Sequence, residues 1–285
     1  LPKPWKAFLS YKAGNIIAFM DNLMNNILYR SRYDELSAHV ATGLNAQSVF
    51  SDYPPEDLVG CDTFAVIDQI LIKWLVERLV AEDTGAKLDE LTIPQLCEKR
   101  CKMHFGAKAE SRYQMLSSAY QLIQAGNYHC PDNFKDILRQ YQETDSGFDY
   151  EYRRFYSAYD QIEDTAAFES LRDLVENIYT NEYLETLLPK WNSAIQEQDT
   201  FTQLPLQRDF YARNIKNAKE RTVVIISDAM RYEVGKELFR RMQDDPKCSA
   251  KLEVQLSVLP SYTRLGMAAL LPHTELTMTD DFKVL

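Results

Sequence analysis

The chain has 285 residues, a length typical of one large domain or of two ordinary ones. It carries 32 Lys and Arg against 42 Asp and Glu, and this net charge of −10 argues against a broad basic surface for nucleic-acid backbones. No apolar run is long enough to span a bilayer, so we expect no membrane association. The five cysteines do not suggest a disulfide framework, and we expect a reduced, cytoplasmic protein.

Residues 1–218 are predicted to form an irregular helical domain. From Trp5 to about Ala218, apolar residues recur at spacings of three and four, and strand-like alternation is scarce enough to allow a minor hairpin at most. The stretch Thr92–Gln95 combines a capping hydroxyl, an early proline and a glutamine at the capping-box position, which predicts a helix start. Pro189 is expected at a helix end.

The pattern changes at Arg221, and residues 219–285 are predicted to begin an α/β domain. The β-branched run Val223–Ile226 is typical of a parallel strand that is covered on both faces, and a helical pattern follows it. Leu252–Val258 alternates like a second strand and leads through "PSYT" into another helix. We therefore expect two adjacent parallel strands joined by a right-handed crossover helix, which is the first βαβ unit of a larger sheet.

Asp228 follows the first predicted strand, and the turn with Ser261 and Thr263 follows the second. Ligands of open parallel sheets bind at the carboxyl ends of the strands, so these side chains are expected to lie close together. The sequence lacks a second Asp at position 230 and lacks a P-loop, which leaves metal ligation and phosphoryl transfer as one possibility. The alternative is that Asp228 and Thr263 only cap the helices that follow them. The spacing of these residues alone does not distinguish a metal site from helix capping.

Two phrases of the sequence, "VVIISDAMRYEVGKEL" and "LEVQLSVLPSYTRLGMAALLPH", resemble the PglZ family of bacteriophage exclusion (BREX) systems, which is similar to the alkaline phosphatase superfamily. The resemblance implies an α/β alkaline-phosphatase-like domain, a divalent metal, zinc by preference, and other BREX-system proteins as partners. It also implies that Asp228 holds a metal and that Thr263 is both a metal ligand and the nucleophile. Arg231 and Glu233 belong to the family phrase without an assigned role.

Such phosphatase sites hold two metals with several Asp and His ligands, but the residues after Thr263 offer few candidates. These are His273, Glu275, Asp280 and Asp281. The chain also begins without Met and ends within a strand-like pattern, so we expect a piece of a longer protein with an incomplete active site. On this hypothesis the longer protein hydrolyses a phosphate ester or a nucleic-acid phosphodiester, and the present chain is inactive.

Two other groups of residues could form binding sites, and two other functions remain open. Cys97, Cys101 and His104 share a helical face and could form a zinc site with His129 and Cys130, although buried packing is favoured because the spacing is poor. An aromatic stripe over residues 150–159 includes two arginines and could stack nucleic-acid bases, although helix packing is favoured. The rival functions are therefore a nucleic-acid-binding module and a non-enzymatic helical scaffold that assembles a defence complex.

Overall fold

A computed structural model describes residues 2–196 and 204–284 of the chain. The predicted mainly helical fold is confirmed. The α-helices are α1 (Ala13–Asn25), α2 (Arg30–Gly43), α3 (Ala46–Ser51), α4 (Val66–Val80), α5 (Ile93–Cys101), α6 (His104–Lys108), α7 (Glu110–Gln124), α8 (Phe134–Gln140), α9 (Ser146–Tyr159), α10 (Glu169–Asn177), α11 (Glu185–Gln196), α12 (Phe210–Asn214), α13 (Tyr232–Gln243) and α14 (Thr263–Leu270). No helix of these ranges is both long and apolar enough to cross a membrane.

The shorter helical segments are of two kinds. The 3₁₀ segments are Lys3–Phe8, Pro55–Leu58, Ala166–Phe168 and Gln207–Asp209, and the π-helical segments are Tyr141–Asp145 and Ile178–Leu184. Pro189 lies inside α11 and not at a helix end, which corrects the prediction from the sequence. It is the fifth residue of α11 and has no N–H to donate to the carbonyl of Glu185, four residues earlier. Helix α11 follows directly on the π-helical segment Ile178–Leu184.

The chain divides into two compact units. The first comprises the residues up to Tyr128 together with Glu151–Leu184, and the second comprises His129–Tyr150 and the residues from Glu185 onward. Helix α9 contributes residues to both. The predicted domain boundary at 218/219 differs in position from this grouping and stays a prediction.

The first unit contains the hairpin that the sequence allowed. Strands β1 (Lys87–Leu88) and β2 (Leu91–Thr92) pair antiparallel. Their connecting residues Asp89 and Glu90 have φ values of 49° and 63°, and two positive φ angles match the twist of a two-residue hairpin turn. Helix α5 begins directly after β2, and the Thr92 amide donates to Gln95 Oε1 at 3.0 Å, which confirms the predicted capping box.

A buried polar network lies in the core of the first unit, where α7 packs against α4 and α5. The Arg100 side chain is fully buried, and its Nε and Nη2 atoms donate to the two carboxylate oxygens of Asp68 at 2.9 and 2.8 Å. The Tyr113 hydroxyl donates to the same carboxylate at 2.6 Å. Burial raises the pKa of the Tyr113 hydroxyl, and the neighbouring Asp68 raises it further. The network therefore keeps a charged pair and a neutral phenol away from water with matched partners.

The second unit holds α8, the start of α9, α11–α14 and the extended segments between them. Phe134 of α8 stacks on Trp191 of α11 with ring centroids 5.3 Å apart. Lys236 of α13 donates from Nζ to the carbonyl oxygens of Gln142 and Glu143 at 2.6 and 3.2 Å. A lysine ammonium thus satisfies carbonyl groups of the π-helical segment before α9, which anchors α13 within this unit.

The predicted βαβ unit is not formed in residues 204–284, and this corrects the sequence-based topology. Val223–Ile226 belongs to no strand, and these residues are exposed by 72%, 43%, 88% and 36%. The second predicted strand instead forms a parallel bridge from Leu256 to Leu206, closed by Leu256 N to Pro205 O and Gln207 N to Leu256 O, both 2.8 Å. A short β-branched run is stable as a parallel strand only when neighbours cover both of its faces, and Val223–Ile226 has no such cover here.

Candidate active site

Asp228 and Thr263 line one cavity of about 470 Å³ in the second unit. Ser261, the other candidate hydroxyl, lines it too. The remaining wall is formed by neighbours of these three residues and by α14, namely Gln207, Ile226, Ser227, Ala229, Met230, Ser257, Val258, Tyr262, Gly266, Met267 and Leu270. Residues that lie thirty-five positions apart therefore reach the same cavity although the predicted strand pairing is absent.

Asp228 lies in an exposed turn before α13. Its Oδ1 accepts a hydrogen bond of 3.0 Å from the amide of Ala229, whose φ of 55° is in the left-handed region. The N-cap of α13 is Arg231, and Glu233 is buried in the first turn of that helix. Asp228 therefore does not cap α13, so helix capping does not explain it. The positive φ of Ala229 is one of several at non-glycine residues of this chain, and here it shapes the turn that carries Asp228.

Thr263 is the first residue of α14, and its side chain is exposed. The N-cap of this helix is Tyr262, with φ −106° and ψ 128°, and no side chain caps it. The capping alternative therefore fails for Thr263 as well. Its hydroxyl lies at the positive end of a helix dipole, where a negative charge on a ligand or on the hydroxyl oxygen is favoured.

Gln207 is a cavity residue that sequence reasoning missed. Its Oε1 accepts from the amide of Val258 at 3.0 Å, and its Nε2 donates to the carbonyl of Gly266 at 3.2 Å. These bonds span 51 and 59 residues, so no local pattern in the sequence indicates them. The Gln207 side chain thus links the backbone of Val258, five residues before α14, to the backbone of Gly266 in the first turn of that helix.

The donors at this cavity do not make up a complete metal centre. Asp228 supplies the carboxylate, and the other oxygen donors are hydroxyls of serine, threonine and tyrosine, whereas zinc sites usually have three or four Cys, His, Asp or Glu ligands. Within residues 2–196 and 204–284, no group of three such side chains could hold a metal ion. His273, Glu275, Asp280 and Asp281 do not line the cavity, and the pKa of Asp281 is lowered chiefly by a hydrogen bond from Lys283.

Comparison with known proteins gives the family. The model of the "BREX system PglZ alkaline phosphatase-like domain" matches residues 209–285. The "Alkaline phosphatase-like protein PglZ" of Bacillus cereus (strain H3081.97) is 35% identical over 295 residues, covering 100% of this chain and 34% of that protein. The chain belongs to the PglZ family. The "Alkaline phosphatase-like protein BrxZ" of Escherichia coli O9:H4 (strain HS) is 31% identical, covering 91% of this chain and 32% of its own length.

This PglZ-family chain therefore spans about a third of the length of the curated relatives that it matches. The matched domain contains Asp228 and Thr263 and begins two residues after Gln207. The alignments with both relatives extend well before that domain, so the helical part shares the relationship. No solved structure gives a significant match to the chain.

The Cys/His constellation of this PglZ-family chain has structural partners in place of a metal. His104 Nε2 is 2.6 Å from Asp34 Oδ1. Cys97 is buried, and burial raises the pKa of its thiol far above the usual value. Burial also raises the pKa of Cys101 to about 11. The burial of Cys97 and the pairing of His104 with Asp34 favour the packing interpretation.

The aromatic stripe also packs within the protein. Phe155 is fully buried, and the rings of Tyr152 and Tyr179 stack with centroids 3.8 Å apart and an interplanar angle of 11°. The hydroxyls of Tyr152 and Tyr156 both donate to Glu176. Burial and this carboxylate raise the pKa of Tyr152 to about 12. The ring faces are occupied and their hydroxyls meet a carboxylate, so the packing favours a structural role over base stacking.

Proposed function

We propose that this chain is part of a metal-dependent phosphohydrolase of the PglZ type. Asp228 would be its metal ligand, and Thr263 its nucleophile and a second ligand. The observation that carries the proposal is that both side chains line one cavity while neither caps a helix. The substrate class is a phosphate ester or a nucleic-acid phosphodiester, and zinc is the ion that the family relationship favours. Residues 1–218 would be the helical domain, and residues 219–285 the beginning of the phosphatase-like domain.

The chain's own residues contribute two physical features to this chemistry. Thr263 presents a hydroxyl at a helix N-terminus, where the dipole favours negative charge on the reacting oxygen. Asp228 presents an exposed carboxylate on a turn with an unusual backbone conformation. A divalent metal would supply Lewis-acid activation at such a site. Its remaining ligands would come from the two thirds of the relatives' length that this chain does not span.

The test is hydrolysis of nitrophenyl phosphate monoesters and diesters by the longer family protein that carries this sequence, with zinc, manganese or magnesium added. We expect metal-dependent turnover that Asp228→Ala and Thr263→Ala each abolish. Thr274→Ala and Asp245→Ala are matched controls because both side chains are exposed and neither lines the cavity. The 285-residue chain alone is expected to lack turnover.

Two results would overturn the proposal in different ways. Turnover by the longer protein that survives both Asp228→Ala and Thr263→Ala would place the site elsewhere. Turnover by the 285-residue chain that Thr263→Ala removes would mean that enough ligands are already present here. Zinc content, measured on the same preparations by mass spectrometry, separates loss of metal from loss of the nucleophile.

A second candidate function, a scaffold that assembles with other BREX proteins, is favoured by the N-terminal surface. Large apolar side chains are exposed there, namely Phe8, Leu9, Tyr11, Ile16, Ile17, Phe19, Ile27, Leu28 and Tyr29. Large exposed apolar patches mark interaction sites, and these side chains all lie within residues 8–29 of the chain. If the scaffold role is the main one, Ile17→Asp with Phe19→Asp removes co-purification of other BREX proteins and phage protection, while Thr263→Ala leaves both intact.

A further inference from the structure

Gln207 holds both ends of the segment that carries the proposed nucleophile. Its side chain accepts from Val258 N and donates to Gly266 O, and Thr263 lies between these two residues in the chain. Gly266 N in turn donates to Tyr262 O at 2.9 Å, so the carbonyl held by Gln207 belongs to the first turn of α14. We propose that Gln207 is a positioning residue that holds Thr263 at the wall of the cavity that Asp228 also lines, an inference that rests on the proposed function.

The chemistry of the amide explains why this position needs glutamine. A carboxamide carries an acceptor oxygen and a donor nitrogen on one carbon, which lets it complement an N–H and a C=O at the same time. Leucine has a similar size and would leave both backbone groups without their partner. Glutamate in its ionised form accepts from Val258 but cannot donate to Gly266, whereas protonated glutamate presents one acceptor and one donor, as glutamine does.

The parallel bridge beside Gln207 is made by backbone groups and not by its side chain. Its backbone amide donates to Leu256 O at 2.8 Å, and Leu256 N donates to Pro205 O, so the parallel bridge stays in side-chain variants. The Gln207 amide also packs against α14, because a Cβ built on Gly266 would lie 3.4 Å from Gln207 Nε2. Substitution at 207 should therefore loosen the segment from Val258 to Gly266 and leave the rest of the second unit folded.

The test compares Gln207→Leu and Gln207→Glu with wild type in the longer family protein, using nitrophenyl phosphate hydrolysis with zinc. Displacing a reacting group by about 1 Å can lower turnover roughly 100-fold. We expect both variants to lower kcat by at least about tenfold at pH 7 with little change in KM. The ratio of Gln207→Glu to wild-type kcat should rise as the pH falls toward about 4.3, where free glutamate protonates, while the Gln207→Leu ratio stays flat. Among the residues that line the cavity together with Gln207, Asp228 is the acidic one.

A second readout is independent of activity. Amide hydrogen exchange, measured on the longer protein and on the 285-residue chain, should become faster at residues 258–266 in Gln207→Leu and stay unchanged in α8 and α11. Gln243→Leu, at the exposed end of α13 and outside the cavity, is the matched control. Unchanged exchange in Gln207→Leu would overturn the contact itself.

The outcomes separate the positioning role from the proposed function. Faster exchange with unaltered kcat, or a Gln207→Glu ratio that does not change with pH, would overturn the positioning role and leave the phosphohydrolase proposal standing. Wild-type protein without metal-dependent turnover, or turnover that survives Thr263→Ala, would overturn the phosphohydrolase proposal and with it the positioning role. In that case the exchange experiment still reports whether Gln207 orders the segment.

Discussion

Each unit of the molecule places an aspartate and a hydroxyl side chain in one site, but the aspartate is buried in the first unit and exposed in the second. In the first unit, Asp68 is 3% exposed, and its carboxylate accepts from Arg100 at 2.9 and 2.8 Å and from the Tyr113 hydroxyl at 2.6 Å. In the second unit, Asp228 is exposed and accepts from the adjacent Ala229 amide, while Thr263 lies on the same cavity wall.

The difference lies in the partners and not in the residue types. A buried carboxylate has been removed from water and depends on every hydrogen bond that replaces the lost hydration. An exposed carboxylate keeps its water and can exchange it for a metal or a substrate. The Asp68 network therefore concerns stability, whereas a chemical role of the Asp228 cavity is the proposal made above. Substitutions in the two regions should change different measurements.

The largest effect is expected from Arg100→Met, which leaves the Asp68 carboxylate buried without its cation. Breaking a buried ion pair from one side costs about 3–5 kcal/mol. We expect the free energy of unfolding of the first unit to fall by that amount in a urea titration followed by tryptophan fluorescence. Arg32→Met is the matched control, since its pair with Glu35 is exposed and such pairs contribute below about 1 kcal/mol. A loss for Arg100→Met no larger than for the control would contradict a buried ion pair between Arg100 and Asp68.

Gly106→Ala should follow, because Gly106 lies directly against the same network. A Cβ at this position would be 1.9 Å from the backbone oxygen of Arg100, and a backbone atom cannot rotate away. Overpacking of this kind typically costs about 1–3 kcal/mol. Gly43→Ala is the control, since a Cβ there meets nothing within 4 Å and alanine favours a helix by up to about 1 kcal/mol. Equal stabilities of the two variants by thermal melting would contradict the close approach.

The helical fold and the site residues could be predicted from the sequence because their signals are local. Apolar spacing of three and four gave the helices, and the Thr92 capping box gave the start of α5. Asp228 and Thr263 were predicted from the ends of two apolar runs, and the cavity contains both. Whether they act as a metal ligand and a nucleophile stays a proposal.

The strand pairing and Gln207 could not be predicted, because both depend on distant neighbours. A β-branched run such as Val223–Ile226 has strand propensity, but propensity gives a strand only where other strands cover and pair with it. The partner of Leu256 is Leu206, fifty residues earlier, and no pattern in either segment indicates the other. The hydrogen bonds of Gln207 have the same long range. Sequence patterns thus located the candidate side chains Asp228 and Thr263 but not the contacts around them.

A smaller effect is expected at Asp34 in the first unit, where His104 and Lys108 of α6 contact its carboxylate. Burial opposes the shift, but hydrogen bonds from Lys108 and His104 outweigh it and lower the pKa of Asp34. A carboxyl group whose pKa is lowered by folding stabilises the folded state at pH values above its unfolded pKa, which is near 3.9. This stabilisation is lost as the pH falls through the lower pKa of the folded state. Asp34→Asn should therefore be less stable than wild type at pH 7, by about 1 kcal/mol because the Asp34–Lys108 pair is partly exposed, with the two converging below pH 4. A difference that grows in acid would contradict this sign.

The smallest effect tests the turn at the candidate site. Ala229 has a φ of 55°, which costs an L-residue about 1 kcal/mol and costs glycine little. Ala229→Gly should therefore leave the stability of the second unit unchanged or raise it by less than about 1 kcal/mol, because glycine also gains freedom in the unfolded chain. Ala229→Val, with a branched side chain at the same φ, should lower it by about 1 kcal/mol or more. Both are measured by urea titration, and the order Gly above Ala above Val is the expected result. If valine were tolerated as well as glycine, the left-handed turn beside Asp228 would be absent, and with it the local geometry that brings this carboxylate to the cavity.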